Sequence, residues 1–193
     1  GEAVRFYHLK KSLRTKYEKG KDIVLLVFSI NPEESSSILT IAYNSLKDLK
    51  DKEVWVKPHP FLNIKKVLKL SGISEESFPF RIKTGPIENF LSEARIVICG
   101  ESSSCIEALA FGCEIIIVNV PEWINTSPLR YKKTRMVKTV NSSDELRRIV
   151  IEIFDEESKP EKYALEAKEI IEEYFYLNQN SDIPETFLKL LIE

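Results

Sequence analysis

Residues 23–34 read IVLLVFSINPEE, in which six apolar residues end at Ser29 and a proline and two acids follow. A continuous apolar run of this length is typical of a strand that is buried on both faces. Pro32 and the two acids after it are typical of a helix start, since proline fits the first turn and acids favour the positive end of the helix dipole. We therefore predict a strand followed by a helix, whose apolar stripe runs from Ile38 to Leu46.

The same alternation continues through the chain. Further strands are predicted at 53–57, 78–82, 95–99, 114–118 and 135–139. Further helices are predicted at 61–70, from Pro86, at 102–111, from Ser142 or Ser143, from Pro160 to Tyr176, and from Pro184. This pattern indicates the α/β class, here a three-layer α/β/α Rossmann-like domain with a parallel sheet of about six strands and C-terminal helices from about residue 142.

The length of the chain favours one such domain. Of the 193 residues, we assign 21–193 to the Rossmann-like domain and 1–20 to an interdomain linker or lead-in helix. The chain begins at Gly1 and its only methionine is Met136, so we expect it to be part of a longer protein.

Composition argues against several functions. Lys and Arg number 28 against 30 Asp and Glu, without a long basic run, so nucleic acid is not an expected partner. The longest apolar runs have the length of strands, so no membrane-spanning helix is expected. Cys99, Cys105 and Cys113 are odd in number and lie among apolar or small residues, which is typical of reduced thiols in the cytoplasm. Neither they nor His8 and His59 have the spacing of zinc ligands, so we expect no metal and no cofactor.

Open parallel sheets bind ligands beyond the carboxyl ends of their strands, near the point where the strand order reverses. This rule selects four loops as candidate site segments. They are 29–34, 57–61, 100–104 and 120–128.

His59 stands between two prolines at the end of the second predicted strand, in Lys57-Pro58-His59-Pro60. The prolines restrict the backbone on both sides and so aim the imidazole at low entropic cost. An imidazole in this place can donate a hydrogen bond to a phosphate oxygen. The alternative is a strand-ending turn in which His59 hydrogen-bonds only to the backbone.

A run of small residues, Gly100-Glu101-Ser102-Ser103-Ser104, follows the strand predicted at 95–99. At the start of a helix, hydroxyl groups, backbone N–H groups and the positive end of the dipole would face one point, which favours an anion. The alternative is simple helix capping, for which serine is a preferred residue anywhere. Capping requires one serine, whereas the sequence offers three.

Glu107 lies inside the same predicted helix, among apolar and small residues. Since a buried carboxylate without partners is costly, we expect hydroxyl groups of a ligand such as ribose to meet it. The alternative is a helix edge that faces solvent. Weaker candidates are Ser29 and Asn31 after the first strand and Thr84-Gly85-Pro86 after the third, all of which are also ordinary turn residues.

The segment 22–121 resembles the C-terminal domain of GT-B glycosyltransferases, in which a helix of the form Ser-x-x-x-Glu-Ala-x-x-x-Gly binds the nucleotide donor. Ser103, Glu107, Ala108 and Gly112 fit this form, which UDP-sugar 2-epimerases share. The element 57–60 is similar to the His-Pro motif of bacterial sialyltransferases, polysialyltransferases and CDP-glycerol glycerophosphotransferases. The tail at 174–177 is similar to the closing helices of surface-carbohydrate biosynthesis proteins.

The resemblance implies the donor-binding domain of a glycosyltransferase in surface polysaccharide biosynthesis, with a CMP- or CDP-linked sugar or glycerol as its partner. It implies His59 as the catalytic residue. The implied contacts to the donor and its phosphate are Ser29, Lys57, His59, Gly100, Glu101, Ser102, Ser103, Ser104 and Glu107.

In those families the general base is an acid of an N-terminal, acceptor-binding domain. The resemblance therefore implies that this chain alone is inactive and that the reaction needs no metal ion. It also implies that the full-length enzyme is cytoplasmic with peripheral membrane association. Two alternatives stay open, a UDP-sugar 2-epimerase-like isomerase domain and a non-catalytic interaction domain of the same fold.

Overall fold

A computed structural model describes residues 21–121, 123–124, 126–132, 134–156 and 165–171. The predicted lead-in at 1–20, the tail motif at 174–177 and the helix predicted from Pro184 lie outside the described residues. Of the helix predicted from Pro160 to Tyr176, the described part is 165–171, and it is helical.

The described strands form one parallel sheet, as predicted. Their spatial order is β3-β2-β1-β4-β5-β6, which is the strand order of Rossmann folds. In chain order the strands are β1 (Lys21–Val27), β2 (Glu53–Lys57), β3 (Arg81–Ile82), β4 (Ala94–Cys99), β5 (Glu114–Val118) and β6 (Val137–Val140).

Both faces of the sheet are covered, which explains the continuous apolar runs. Successive residues of a strand point to opposite faces. Leu25 and Val27 accordingly belong to one buried cluster, whereas Val24 and Leu26 belong to the other. Each face therefore needs apolar side chains, and a run such as 23–28 supplies both sets.

Helices lie on both faces of the sheet and give the predicted three layers. In chain order they are α1 (Pro32–Leu46), α2 (Ile64–Leu70), α3 (Glu88–Leu91), α4 (Ser104–Ala110) and α5 (Ser143–Asp155). Helix α1 packs against α2 and α5 on one face. Helix α4 and the helical segment 165–171 contribute to the core of the other face.

The helices predicted from residues 61 and 102 begin later in the structure. The Asn63 side chain accepts hydrogen bonds from the backbone N–H groups of Lys65 and Lys66, so α2 begins at Ile64 and not at residue 61. Helix α4 begins at Ser104, two residues after the predicted start. Gly112 follows α4 with a φ of 79°, which is the left-handed conformation expected of a glycine after a helix.

The third strand is shorter than predicted. It spans only Arg81–Ile82 at the edge of the sheet, whereas the prediction was 78–82. Pro79 has no N–H group to donate to a neighbouring strand, and the Phe80 side chain turns into the core of the α1 face.

Among the residues that the structure describes, none of the helices combines the length and the apolar character needed to span a bilayer.

Candidate functional site

A cavity of about 640 Å³ opens at the carboxyl ends of the strands. It lies where the strand order reverses, because its walls follow β1 and its neighbours β2 and β4. Rossmann folds bind their ligands in this place. The lining consists of residues 27–30, 57–60, 85–88 and 102–104, with Glu107 and Phe111. Three of the four loops selected from the sequence thus contribute to it, and the described part of 120–128 does not.

His59 lines this cavity with a half-buried side chain. Its Nδ1 accepts a hydrogen bond from the backbone N–H of Phe61 at 3.3 Å, and the two rings pack with their centroids 5.7 Å apart. An Nδ1 that accepts leaves the proton of a neutral imidazole on Nε2. The backbone contact of the alternative interpretation is therefore present, and it makes the other edge of the ring a hydrogen-bond donor.

The three serines line the same cavity as His59 and follow β4. Ser102 Oγ accepts a hydrogen bond from the Ser104 N–H at 3.3 Å and so shapes the turn. Ser103 occupies the N-cap position of α4 with helical dihedral angles, and within the described structure its side chain makes no capping hydrogen bond. Ser102 thus supports the turn before α4, Ser103 does not cap the helix with its side chain, and all three serines line the cavity.

Charged groups of both signs line the cavity. Glu107 is half-buried and lines it, and so does Glu88, on the segment that follows β3. The Lys57 Nζ donates a hydrogen bond to the carbonyl of Pro58 at 2.9 Å. Burial lowers the pKa of Lys57, and the nearby Glu88 carboxylate partly opposes that shift. The ammonium group of Lys57 therefore supports the backbone before His59 in addition to lining the cavity.

A buried carboxylate that the sequence analysis did not single out joins two of the loops. Glu34 is 2% exposed, its Oε2 accepts a hydrogen bond from the Ser29 hydroxyl, and its Oε1 accepts one from the Glu101 N–H at 2.9 Å. Ser29 follows β1 and Glu101 follows β4, the strands at the reversal of strand order. The available signal was periodicity, since Glu34 stands four residues before Ile38 on the apolar stripe of α1.

Two predicted donor contacts stand behind the lining of the cavity. Gly100 is buried against the Glu34 carboxylate and the Ile38 side chain, and Glu101 uses its N–H for Glu34. Among the weaker candidates, Asn31 is the N-cap of α1, where its side chain accepts hydrogen bonds from two backbone N–H groups. Gly85 and Pro86 line the cavity, whereas Thr84 does not.

The cysteines are buried and free, as predicted for reduced core thiols. A hydrogen bond with Cys105 and burial raise the pKa of the Cys99 thiol well above its usual range. Burial raises the pKa of Cys113 to about 12. A thiol must lose its proton to act as a nucleophile, so the raised pKa values argue against that role for Cys99 and Cys113. All three cysteines are buried in the core.

A metal site is not evident in the part of the chain that the structure describes. Within it, no group of three or more His, Cys, Asp and Glu side chains is arranged to hold an ion.

Comparison with known proteins adds evidence on the fold. No protein-family model matches the sequence, and no curated protein matches it. The structure is similar to that of TarM, with a TM-score of 0.57 and 13% identity over 92% of this chain and 37% of TarM. It is also similar to the pneumococcal O-GlcNAc transferase GtfA in complex with UDP and GlcNAc, with a TM-score of 0.51 and 13% identity over 83% of this chain and 34% of GtfA.

A third similar structure is the UDP-GlcNAc 2-epimerase of Methanocaldococcus jannaschii in complex with UDP-GlcNAc and UDP. The TM-score is 0.52 and the identity 17%, over 89% of this chain and 48% of the epimerase. At such low identity these likenesses establish a shared fold. The chain spans between about a third and about half the length of these proteins. The Rossmann-like α/β fold predicted from the sequence is therefore confirmed, and TarM, an O-GlcNAc transferase and a UDP-GlcNAc 2-epimerase share it.

Proposed function

We propose that the cavity binds the nucleotide and phosphate part of a nucleotide-linked donor. The chain would be the donor-binding domain of a glycosyltransferase in surface polysaccharide biosynthesis, and the donor a CMP- or CDP-linked sugar or glycerol. One observation carries the proposal: His59 and the three serines, which stand more than forty residues apart in the sequence, line the same cavity at the reversal of strand order.

The chemistry of the lining fits a phosphate that carries growing negative charge. In this proposal the Nε2–H of His59 and the serine hydroxyls donate hydrogen bonds to the phosphate oxygens. Donors that are already in position stabilise the charge that develops on the phosphate as the bond to the transferred group breaks. Glu107, which also lines the cavity, would accept hydrogen bonds from ribose hydroxyls.

The general base would belong to an acceptor-binding domain of the full-length protein, and the reaction would need no bound metal ion. This chain is then expected to bind nucleotide and to turn over nothing by itself. We keep the cytoplasm as the proposed location because Cys99, Cys105 and Cys113 are free thiols.

The test is a titration of the chain with CMP, CDP and UDP, followed by the backbone amide signals in NMR spectra. We expect cytidine nucleotides to bind more tightly than UDP and to shift the amides of Ser29, His59 and Ser103 together, because these residues line one cavity. Amides of Lys52 and Glu93, which precede strands at the opposite end of the sheet, serve as internal controls and should stay in place.

The other outcomes have distinct meanings. A preference for UDP would favour the epimerase-like alternative over a cytidine-linked donor. A titration in which none of the three nucleotides moves the cavity amides would contradict donor binding and favour an interaction domain.

A further inference from the structure

The Ser29 hydroxyl has defined hydrogen-bond partners on two sides. It donates to Glu34 Oε2 and accepts from the Asn31 N–H at 3.2 Å. Ser29 is also half-buried and lines the cavity, so a ligand in the cavity can reach its hydroxyl group.

A serine hydroxyl has one proton and two lone pairs. The hydroxyl proton is used in the hydrogen bond to Glu34, and one lone pair accepts the Asn31 N–H. The second lone pair remains, and it can only accept a hydrogen bond. Phosphate oxygens are acceptors as well and cannot pair with it. The expectation that Ser29 contacts phosphate therefore conflicts with its partners.

The position of Glu34 keeps the Ser29 hydroxyl proton directed at the carboxylate and away from the cavity. Glu34 is 2% exposed, and both carboxylate oxygens face donors, the Ser29 hydroxyl and the Glu101 N–H. A buried carboxylate retains such hydrogen bonds because breaking them leaves a desolvated charge. Its negative charge, directly behind Ser29, also disfavours a phosphate on that side of the cavity.

We infer that Ser29 accepts a hydrogen bond from a hydroxyl or amino group of the ligand and that Glu34 is the positioning residue that sets this polarity. The inference rests on the proposed function and refines it. The phosphate oxygens would pair with the donors of His59 and the serines. Ser29, which follows the strand between theirs, would pair with a hydroxyl or amino group of the donor.

The experiment compares two probes, inorganic pyrophosphate and CDP, by calorimetric titration of the wild-type chain and two variants. Pyrophosphate lacks the sugar and base, whereas CDP carries ribose hydroxyls and an amino group. Glu34→Gln keeps the size of the side chain but lets its amide donate to Ser29, so the Ser29 proton turns towards the cavity. Ser29→Ala removes the hydroxyl and leaves Glu34 in place.

We expect both variants to lower the preference for CDP over pyrophosphate by about ten-fold, the value of one hydrogen bond between uncharged partners. We also expect Glu34→Gln to bind pyrophosphate more tightly than the wild type, because it gains a donor and loses a negative charge. A purely structural role would weaken both probes alike. Amide spectra and melting temperatures show that each variant is folded, and Ser29→Ala decides the matter should Glu34→Gln not fold.

The inference is overturned if Ser29→Ala weakens pyrophosphate as much as CDP, or if neither variant changes the preference. A wild-type chain that binds neither probe would instead overturn the proposed function itself, and this inference with it.

Discussion

The carboxylate of Glu34 occupies the space that a side chain at position 100 would need. A Cβ atom on Gly100 would stand 2.1 Å from Glu34 Oε1 and 2.7 Å from Ile38 Cδ1. Gly100 does not have a positive φ, so space and not backbone conformation requires a glycine here. The glycine after β4 and the acid at the start of α1 are therefore one structural unit that connects the loops at the reversal of strand order.

Gly100→Ala should destabilise the chain by roughly 1–3 kcal/mol, because the Glu34 carboxylate must move and lose its hydrogen bonds to Ser29 and Glu101. Urea unfolding measures this loss. In a Glu34→Ala background the same change should cost less, since only the contact with Ile38 remains. Fully additive losses in the double variant would show that the two residues do not interact.

The strands could be predicted because each face of the sheet needs its own apolar set, and runs such as 114–118 supply both. The predicted and observed bounds of β5 agree, and those of β4 differ by one residue at the start. Edge strand β3 was the weakest prediction because an exposed two-residue strand requires no apolar pattern.

Much of the cavity could also be predicted, because the carboxyl ends of parallel strands meet at one edge of a sheet. Glu34 could not be predicted in the same way. Its partner Glu101 lies 67 residues further along the chain, and in sequence an acid in the first turn of a helix needs no partner beyond the helix dipole. Gly100 and Glu101 were expected to touch the donor for the same reason, since a loop sequence does not reveal what lies behind it.

Ser142 is the cap of α5, which settles the choice between two adjacent serines. Its side chain accepts a hydrogen bond from the Glu145 N–H at 3.2 Å, and the Glu145 carboxylate accepts one from the Asn141 N–H at 2.8 Å. Ser142→Ala should therefore lower the free energy of unfolding by about 1 kcal/mol. Ser143→Ala is the matched control and should change it far less. Equal losses from the two variants in urea unfolding would contradict the assignment of the cap.

Glu114 makes the stability of the chain depend on pH. Burial raises its pKa to about 7, and the Lys138 ammonium, 3.9 Å from Oε2, opposes this only in part. That distance is too long for a hydrogen bond, and among the described residues Oε2 has no hydrogen-bond partner. Between about pH 4.5 and 7 the folded chain keeps a proton that the unfolded chain releases, so stability falls as the pH rises through this window.

Glu114→Gln should remove this dependence. We compare the free energies of unfolding of the variant and the wild type at pH 4 and at pH 8. Between these pH values the difference should shift in favour of the variant by up to roughly 3 kcal/mol, because the variant has no buried charge at pH 8. Urea unfolding at the two pH values measures the gain. The exposed Glu152, which pairs with Arg148 on α5, provides the control Glu152→Gln, whose curve should stay parallel to that of the wild type. A Glu114→Gln curve that is also parallel would show that Glu114 is ionised in the folded chain throughout.

His59 offers two variants that separate its contribution to the turn from its contribution to the ligand. An asparagine oxygen can accept the Phe61 N–H as Nδ1 of His59 does, in an ordinary turn of the Asx type, but asparagine does not reach as far as Nε2. His59→Asn should therefore keep the melting temperature of the wild type and lose about ten-fold in CDP affinity, the value of one hydrogen bond. His59→Ala should lose as much affinity and melt lower as well, since the turn has lost its acceptor.

Lys65→Ala, on the exposed surface of α2, is the control for both measurements. If His59→Asn bound CDP as tightly as the wild type, the imidazole would serve the turn alone, and the phosphate would have to be held by the serines without it.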